Sequence, residues 1–440
     1  MHDSHIDGGR SSRGATYLLG VLVLAYIISF IDRQIVSLLV PDIRRAFGVG
    51  DLEVALIQGV AFSIPFCLVS IPVGFLVDRY RRKYLLLLGV LIWTATTALC
   101  AFVESYPMLF LARMGVGAGE AFVAPTAYSM ITDAFRKDRV VRALSIFTLA
   151  GALGAGLAFL TGGIALQAIY SRPSLAFGLE PWRAAFIIVS LPSALVILMM
   201  ALTREPRRMD VSAAERPLRL AEACRLLWRV RGDFLPIFAC ASLLGIPYYG
   251  SMSWFAAHLV RMYGCSSAQA GLILGAVYLV CPLIGTIFGT MVTESFQRAG
   301  RSDAPMRTIS LIALIAIPTS LAGAVTSLPL AIALLATGAL ALGSYYGNLV
   351  GALQMVTPPR VRGLNSSFYV IFNSLMAQAV GLAVIGAMSD RLFAGRPDGL
   401  GLSLATLSVI CSIIAAMLSR RTLPRFGSVV RASWAEKAAD

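Results

Sequence analysis

Long apolar stretches separated by short polar ones run the length of the chain. A membrane-spanning helix needs about 20 mostly apolar residues. Twelve stretches reach that length, at 16–39, 53–76, 84–103, 107–134, 142–168, 183–202, 233–259, 268–293, 307–325, 328–356, 363–388 and 400–419. In chain order they are spans 1 to 12. The first is too long for a cleaved signal peptide, lacks a small-residue cleavage site and carries Asp32-Arg33 inside it, so it is expected to remain as a span. The pattern predicts an all-α membrane protein of twelve transmembrane helices.

The longest polar stretch, 203–232, falls at mid-chain. It contains Arg204-Glu205-Pro206-Arg207-Arg208, and then Ala221 to Trp228, which reads as a short amphipathic helix on the inner leaflet. The expected organisation is an N-tail at 1–15, a six-helix half at 16–202, the linker at 203–232, a second six-helix half at 233–419 and a C-tail at 420–440. The halves echo each other. Arg142-Ala143-Leu144-Ser145 follows a basic loop and opens a glycine-rich span, and Gly363-Leu364-Asn365-Ser366 does the same after Arg360 and Arg362. Internal repetition is the usual architecture of secondary transporters, with the substrate site near the midplane.

Composition agrees with that pattern. Apolar residues make up 58% and charged residues 14%, against about 45–50% and about 25% in soluble domains. An ordinary cytosolic enzyme and a disordered chain are both excluded. The net charge of +14 does not point to nucleic acid, because the cations sit in clusters between apolar runs. With the N-terminus in the cytoplasm, the loops on that side hold 28 Lys and Arg. The opposite loops hold only Arg44, Arg45, Arg172, Arg183, Arg261, Arg391 and Arg396. That excess places both termini in the cytoplasm. The seven cysteines mostly lie inside apolar runs and read as small core residues.

An ionisable side chain at membrane depth is expensive and marks a functional site by default. Asp32 and Arg33 in span 1 and Arg113 and Glu120 in span 4 are the main candidates, with Asp133 and His258 near span ends. At about 1.5 Å per residue, Asp32, Arg33 and Arg113 share one level and Glu120 lies two turns deeper. Arg113 and Glu120 project from one face, and Gly115, Gly117 and Gly119 keep that helix slim. A carboxylate beside an arginine is held ionised, whereas burial favours its neutral form. An arginine that changes partner between two conformations would therefore make the carboxyl a proton switch. The rival reading is a static ion pair that fixes helix packing. Span 7 carries Gly245-Ile246-Pro247-Tyr248-Tyr249-Gly250 and Trp254, and is expected to break beside a cavity. Tyr345 and Asn348 in span 10, and Tyr369 and Asn373 in span 11, either line that cavity or bond between helices. His258 is expected at the interface. The glycines of span 5 are expected to permit close packing. There is no phosphate-loop motif and no metal-ligand spacing, so neither a cofactor nor a metal is expected. An intramembrane enzyme would need a nucleophile and base, or a metal cluster, at one depth, and none is present.

The loop after span 2 reads Gly74-Phe75-Leu76-Val77-Asp78-Arg79-Tyr80-Arg81-Arg82-Lys83. It resembles the signature of the major facilitator superfamily, with Arg81 where a second glycine usually stands. In the second half, Thr293 stands where the aspartate would be. Asp32-Arg33-Gln34, Leu56-Ile57-Gln58, Arg113 to Ala121 with Pro125, Arg142 to Phe147 and Trp182 to Phe186 resemble the spinster-like branch, a likeness that covers nearly all of the first half. The resemblance implies the major facilitator fold and proton coupling through Asp32 and Glu120. Arg33 and Arg113 would be their charge partners and bind the substrate head. It also implies a cytoplasmic gate built from Gly74, Asp78, Arg79 and Arg82. The implied cargo is an amphipathic lipid of lysophospholipid or sphingoid type. A small organic anion on the same fold is the alternative. The expected setting is a monomer, multi-pass in a bacterial cell membrane, with the bilayer, protons and an amphipathic or anionic substrate as partners and no nucleic acid.

Overall fold

A computed structural model describes residues 7–176, 178–208 and 220–439. Residues 1–6 of the expected N-tail, 209–219 of the linker, Phe177 and Asp440 lie outside the described residues. Among the described residues all regular structure is helical, and twelve helices are long and apolar enough to cross a membrane. They are Gly14–Leu38, Asp51–Arg79, Arg82–Leu99, Tyr106–Ala134, Arg139–Ser171, Pro181–Leu202, Arg231–Tyr263, Ser267–Arg298, Ala304–Gly323, Leu328–Val356, Pro359–Leu392 and Gly399–Ala432. Each lies on one of the twelve apolar runs. Many extend past the apolar run into Arg-bearing ends, because a long cationic side chain can stay helical and reach for water. Span 12 goes furthest. Its helix continues beyond residue 419, and Phe426 and Val430, four residues apart on one face, are buried in a core with Phe234 and Leu227.

The ends follow local chemistry. Proline stands in the first turn of spans 4, 6, 9 and 10, where its missing N–H is not needed. Gly264 closes span 7 at a φ of 67°. Two spans are interrupted at matching places in the two halves. Span 4 breaks between Tyr106–Glu120 and Val123–Ala134, and span 10 between Leu328–Gly343 and Tyr345–Val356. Pro125 lies in the first turn of the second piece of span 4, a position that favours the break. Spans 2 and 11 widen instead into π-helical turns, at Leu56–Val60 in one and at Ser374–Val380 and Met388–Leu392 in the other. Such turns are frequent at functional sites.

The helices form two compact units. The first comprises Met1–Val49, Leu56–Ser212 and Cys265–Leu279, and the second Gly50–Ala55, Ala213–Gly264 and Val280–Asp440. The first unit packs Leu22 and Ala25 of span 1 against Trp93, Val116, Met130, Phe147 and Val196. The beginning of span 8 joins this unit through contact with span 5. A Cβ on Gly156 would come 2.3 Å from the Leu279 main-chain nitrogen. The second unit packs span 7 against spans 9, 10, 11 and 12 around Phe238, Leu244, Ile309, Leu349 and Tyr369.

Gly156→Val therefore has to displace backbone, and is expected to lower stability by about 1–3 kcal/mol, the usual cost of overpacking. Gly74→Ala, where nothing lies within 4 Å, should leave the melting temperature in detergent unchanged. Equal melting of the two variants would contradict the packing described.

Candidate coupling and substrate site

The four ionisable residues picked out at membrane depth come together inside the first unit. Arg33 on span 1 donates to Glu120 Oε2 at 2.5 Å. Its guanidinium also lies 4.1 Å from the ring centre of Phe62 and 5.0 Å from that of Phe30. Two aromatic faces and one carboxylate thus hold a cation that is only partly buried. Arg113, fully buried, does not bond a carboxylate. Its Nη1 donates to the main-chain carbonyl of Asp32 at 3.1 Å, and its Nη2 to that of Arg33 at 3.4 Å. Asp32 is fully buried, and neither carboxylate oxygen has a hydrogen-bond partner among the described residues.

Sequence spacing accounts for much of this. Arg113 and Glu120 are separated by two helical turns, and Glu120 is the last residue before span 4 breaks. Gly117 lets the span approach closely, since a Cβ there would come 2.3 Å from the Phe62 carbonyl oxygen. That contact brings Phe62 under Arg33. What spacing could not give is the pairing, in which Arg33 takes Glu120 and Asp32 is left without a donor.

The loop of the implied gate divides. Gly74, Asp78 and Arg79 are exposed, and the Asp78 carboxylate makes no hydrogen bond among the described residues. Arg82 is buried elsewhere in the unit, bonded to Asp133, to Ser129 Oγ at 3.0 Å, to Glu205 Oε1 at 3.4 Å and to the Pro206 carbonyl at 2.9 Å. Arg208 donates to the carbonyls of Val77 at 2.7 Å and Tyr80 at 2.8 Å, and to that of Asp78. The start of the linker therefore fastens this loop, a role that the run of charges at 204–208 only hints at.

The polar and aromatic residues of the second unit fall into two groups. Tyr248, Tyr345, Tyr346 and Tyr369 form a chain of rings at 5.6–6.3 Å. Beside it the Tyr345 and Tyr369 hydroxyls and Asn373 Oδ1 are buried without partners. Tyr249 packs edge-on to Tyr248 at 5.4 Å, and Trp254 is buried with its indole N–H unpartnered. Asn348 instead bonds between helices. It accepts from Thr293 at 2.6 Å and donates to the Ser344 carbonyl at 3.0 Å, and Thr293 shares a 2.7 Å bond with Thr308. His258, expected at the interface, is buried between Phe255 and Tyr263 with neither ring nitrogen bonded.

A further cluster, in the second unit, was not foreseen. Arg261 at the end of span 7 makes a two-pronged pair with the buried Asp51, at 2.7 and 2.6 Å. Ser389 donates to the same carboxylate at 2.7 Å. Asp390 accepts the main-chain N–H groups of Asp51 and Leu52, at 3.0 and 2.7 Å, and so caps the start of span 2. The segment Gly50–Ala55 is thus clamped by spans 7 and 11 just before the π-helical turn at Leu56. The available signal was the run Gly50-Asp51-Leu52-Glu53, which reads as a helix start. Among the described residues, no three His, Cys, Asp or Glu side chains gather as metal ligands would.

The sequence profile of the Major Facilitator Superfamily matches residues 22–377. Protein spinster homolog 1 of Xenopus laevis is 25% identical over 438 residues, which covers 94% of this chain and 81% of that protein. The sphingosine-1-phosphate transporter SPNS2 of Danio rerio is 28% identical over 310 residues, 67% of this chain and 60% of the relative. A crystal structure of a bacterial homolog of the human lysosomal transporter spinster, inward-facing and unoccupied, matches with a TM-score of 0.78 at 25% identity, covering 95% of this chain and 97% of the other.

Removing one partner of a buried pair strands the other charge, at about 3–5 kcal/mol. Arg261→Gln is expected to destabilise this conformation by about that amount. Asp51→Asn/Arg261→Gln should recover part of the loss, read as non-additivity in a double-mutant cycle of melting temperatures. Strict additivity would mean that the pair contributes nothing.

Proposed function

This chain belongs to the Major Facilitator Superfamily and is a multi-pass membrane transporter of spinster type, and we propose that it couples proton movement to alternating access, with Asp32 as the proton-carrying group. The observation that carries this reading is the contrast between two neighbouring carboxylates. Glu120 has Arg33, and Asp32 has no donor among the described residues. An ionised carboxylate buried without donors is strongly disfavoured, and the same group carrying a proton is not. In the proposal Asp32 holds its proton while Arg33 pairs with Glu120. When Arg33 turns to Asp32, that proton leaves and Glu120 becomes the group that needs one. Only one side chain has to move, and Arg113 keeps the main chain of span 1 in place meanwhile.

The proposed cargo is an amphipathic lipid with an anionic head. Arg33 offers a cation framed by Phe30 and Phe62 and still partly open, a setting that suits a phosphate or carboxylate head with an apolar tail beside it. In the second unit, Tyr345, Tyr369 and Asn373 carry the unpartnered polar atoms that a bound molecule would satisfy. They lie beside the break of span 10, as Glu120 lies at the break of span 4. Interrupted helices in corresponding positions of two repeats point to the substrate site of a secondary transporter. The zebrafish relative named for sphingosine-1-phosphate transport agrees in chemical class. In the proposed cycle the Asp51–Arg261 clamp opens when the conformation changes, and Asp78 then accepts bonds that it lacks here.

The test is transport into liposomes under an imposed pH gradient, with a labelled lysophospholipid and a labelled small organic anion. Wild type is expected to move the lipid in response to the gradient. Asp32→Asn should lose the gradient response while still exchanging lipid downhill. Movement of the small anion alone would overturn the lipid assignment and leave the coupling. An Asp32→Asn protein that still follows the gradient would overturn Asp32 as carrier. Arg33→Ala strands Glu120 and should lose about 3–5 kcal/mol of stability, with Arg33→Ala/Glu120→Gln milder.

A further inference from the structure

The short helix Leu220–Arg229 precedes span 7 and is separated from it by Val230 alone. One face is fixed. Ala223 and Leu227 are buried in the core of the second unit, and Leu226 and Val230 pack against it. At 100° per residue the opposite face presents Arg225, Trp228 and Arg229, with Glu222 at its edge. All three are exposed, and Trp228 keeps 67% of its surface open. Neither Arg225 nor Arg229 has an ion-pair partner among the described residues. Arg231 stacks over the Trp228 ring at 4.4 Å and donates to its carbonyl at 2.7 Å. From the extension of span 12, Arg425 reaches the next turn and bonds Asp233 at 2.7 Å.

We infer that this outward face binds the headgroup of an anionic phospholipid. The helix runs into a membrane span after one residue, so its exposed face lies at headgroup height rather than out in solution. A large aromatic placed opposite the core is unusual for a helix facing water, and tryptophan is enriched at membrane–water interfaces. Unpaired guanidinium groups on each side of it match a phosphodiester, which arginine can grip with two parallel N–H bonds. The Arg-rich side of the chain is the one expected to face an anionic leaflet, whose potential attracts such clusters. A general preference for cations on one side explains neither the exposed ring nor the guanidinium stacked upon it. The helix also packs against the turn Pro359–Val361 that opens span 11. An occupied headgroup site therefore braces the starts of spans 7 and 11 together. This inference is independent of the proposed coupling.

The test uses the purified full-length chain in neutral detergent. It is titrated with phosphatidylglycerol, with phosphatidylcholine and with inorganic phosphate, while its melting temperature is followed and retained lipids are counted by native mass spectrometry. Phosphatidylglycerol is expected to raise the melting temperature of wild type and phosphatidylcholine is not. Arg225→Gln and Arg229→Gln should each weaken the apparent affinity about fivefold, the factor that corresponds to about 1 kcal/mol for one basic residue near an anionic surface. Trp228→Ala should weaken it as well. The control is Arg298→Gln, an exposed arginine paired with Glu294 on span 8, which should respond as wild type does. All these positions are exposed, and the melting temperature without added lipid reports whether each variant folds. Equal responses of Arg225→Gln/Arg229→Gln and wild type would overturn the inference. So would equal responses to the two lipids, or a phosphate effect as large as that of the lipid.

Discussion

Arg113 is fully buried inside the first unit, and much else follows from how its charge is met. A guanidinium with no exposure to solvent needs acceptors in fixed places. It takes them from the main chain of span 1, at the carbonyls of Asp32 and Arg33. That choice ties span 1 to span 4 without using a carboxylate. Arg33 is then left to Glu120, and Asp32 without a donor. Had Arg113 taken the Asp32 carboxylate instead, both buried carboxylates of the site would be closed in ion pairs. The slim profile of span 4 makes the arrangement possible, because Gly117 brings the backbone of Phe62 to the site and with it the ring beneath Arg33.

The second unit solves a different problem. Its interior is largely neutral, and its polar atoms are hydroxyls, amides, an indole and the imidazole of His258. Some of them, Thr293, Thr308 and Asn348, satisfy one another between helices. Others, Tyr345, Tyr369 and Asn373, remain unsatisfied. A buried hydroxyl or amide without a partner is disfavoured by about 1–3 kcal/mol, so a site that keeps several of them gains whenever a bound polar group supplies the missing bonds. The charged residues of this unit lie near span ends instead, in the Asp51–Arg261 clamp and in the arginine-rich approach to span 7. Chemistry that needs charge and chemistry that needs hydrogen bonding are thus divided between the units.

The backbone departures have local causes and one shared consequence. Spans 4 and 10 break, and spans 2 and 11 widen to π-helical turns, all beside the groups singled out above. In a medium without water, an irregular turn persists only where other protein groups or a water-filled cavity meet its freed N–H and C=O groups. Irregular backbone therefore collects where polar side chains already are. Glu120 ends one helical piece, Tyr345 begins another, Asp390 lies within a π-helical turn, and Asp51 opens the helical turn that precedes another.

Twelve apolar runs and four charges inside them were readable from the sequence. Each is a local property, since about 20 apolar residues must form a helix in lipid and a charge inside such a run stands out against its neighbours. The implied gate loop was readable as a motif, yet the burial of Arg82 was not, because Asp133 and Glu205 reach it from distant parts of the chain. The Asp51–Arg261 pair was not readable either. Its members sit at span ends, where charges are common, and are separated by 210 residues. Composition and periodicity determined which residues had to be buried or paired. Only the packing of the helices decided which partner each received, because a pairing depends on the distance between side chains and not on their order in the chain.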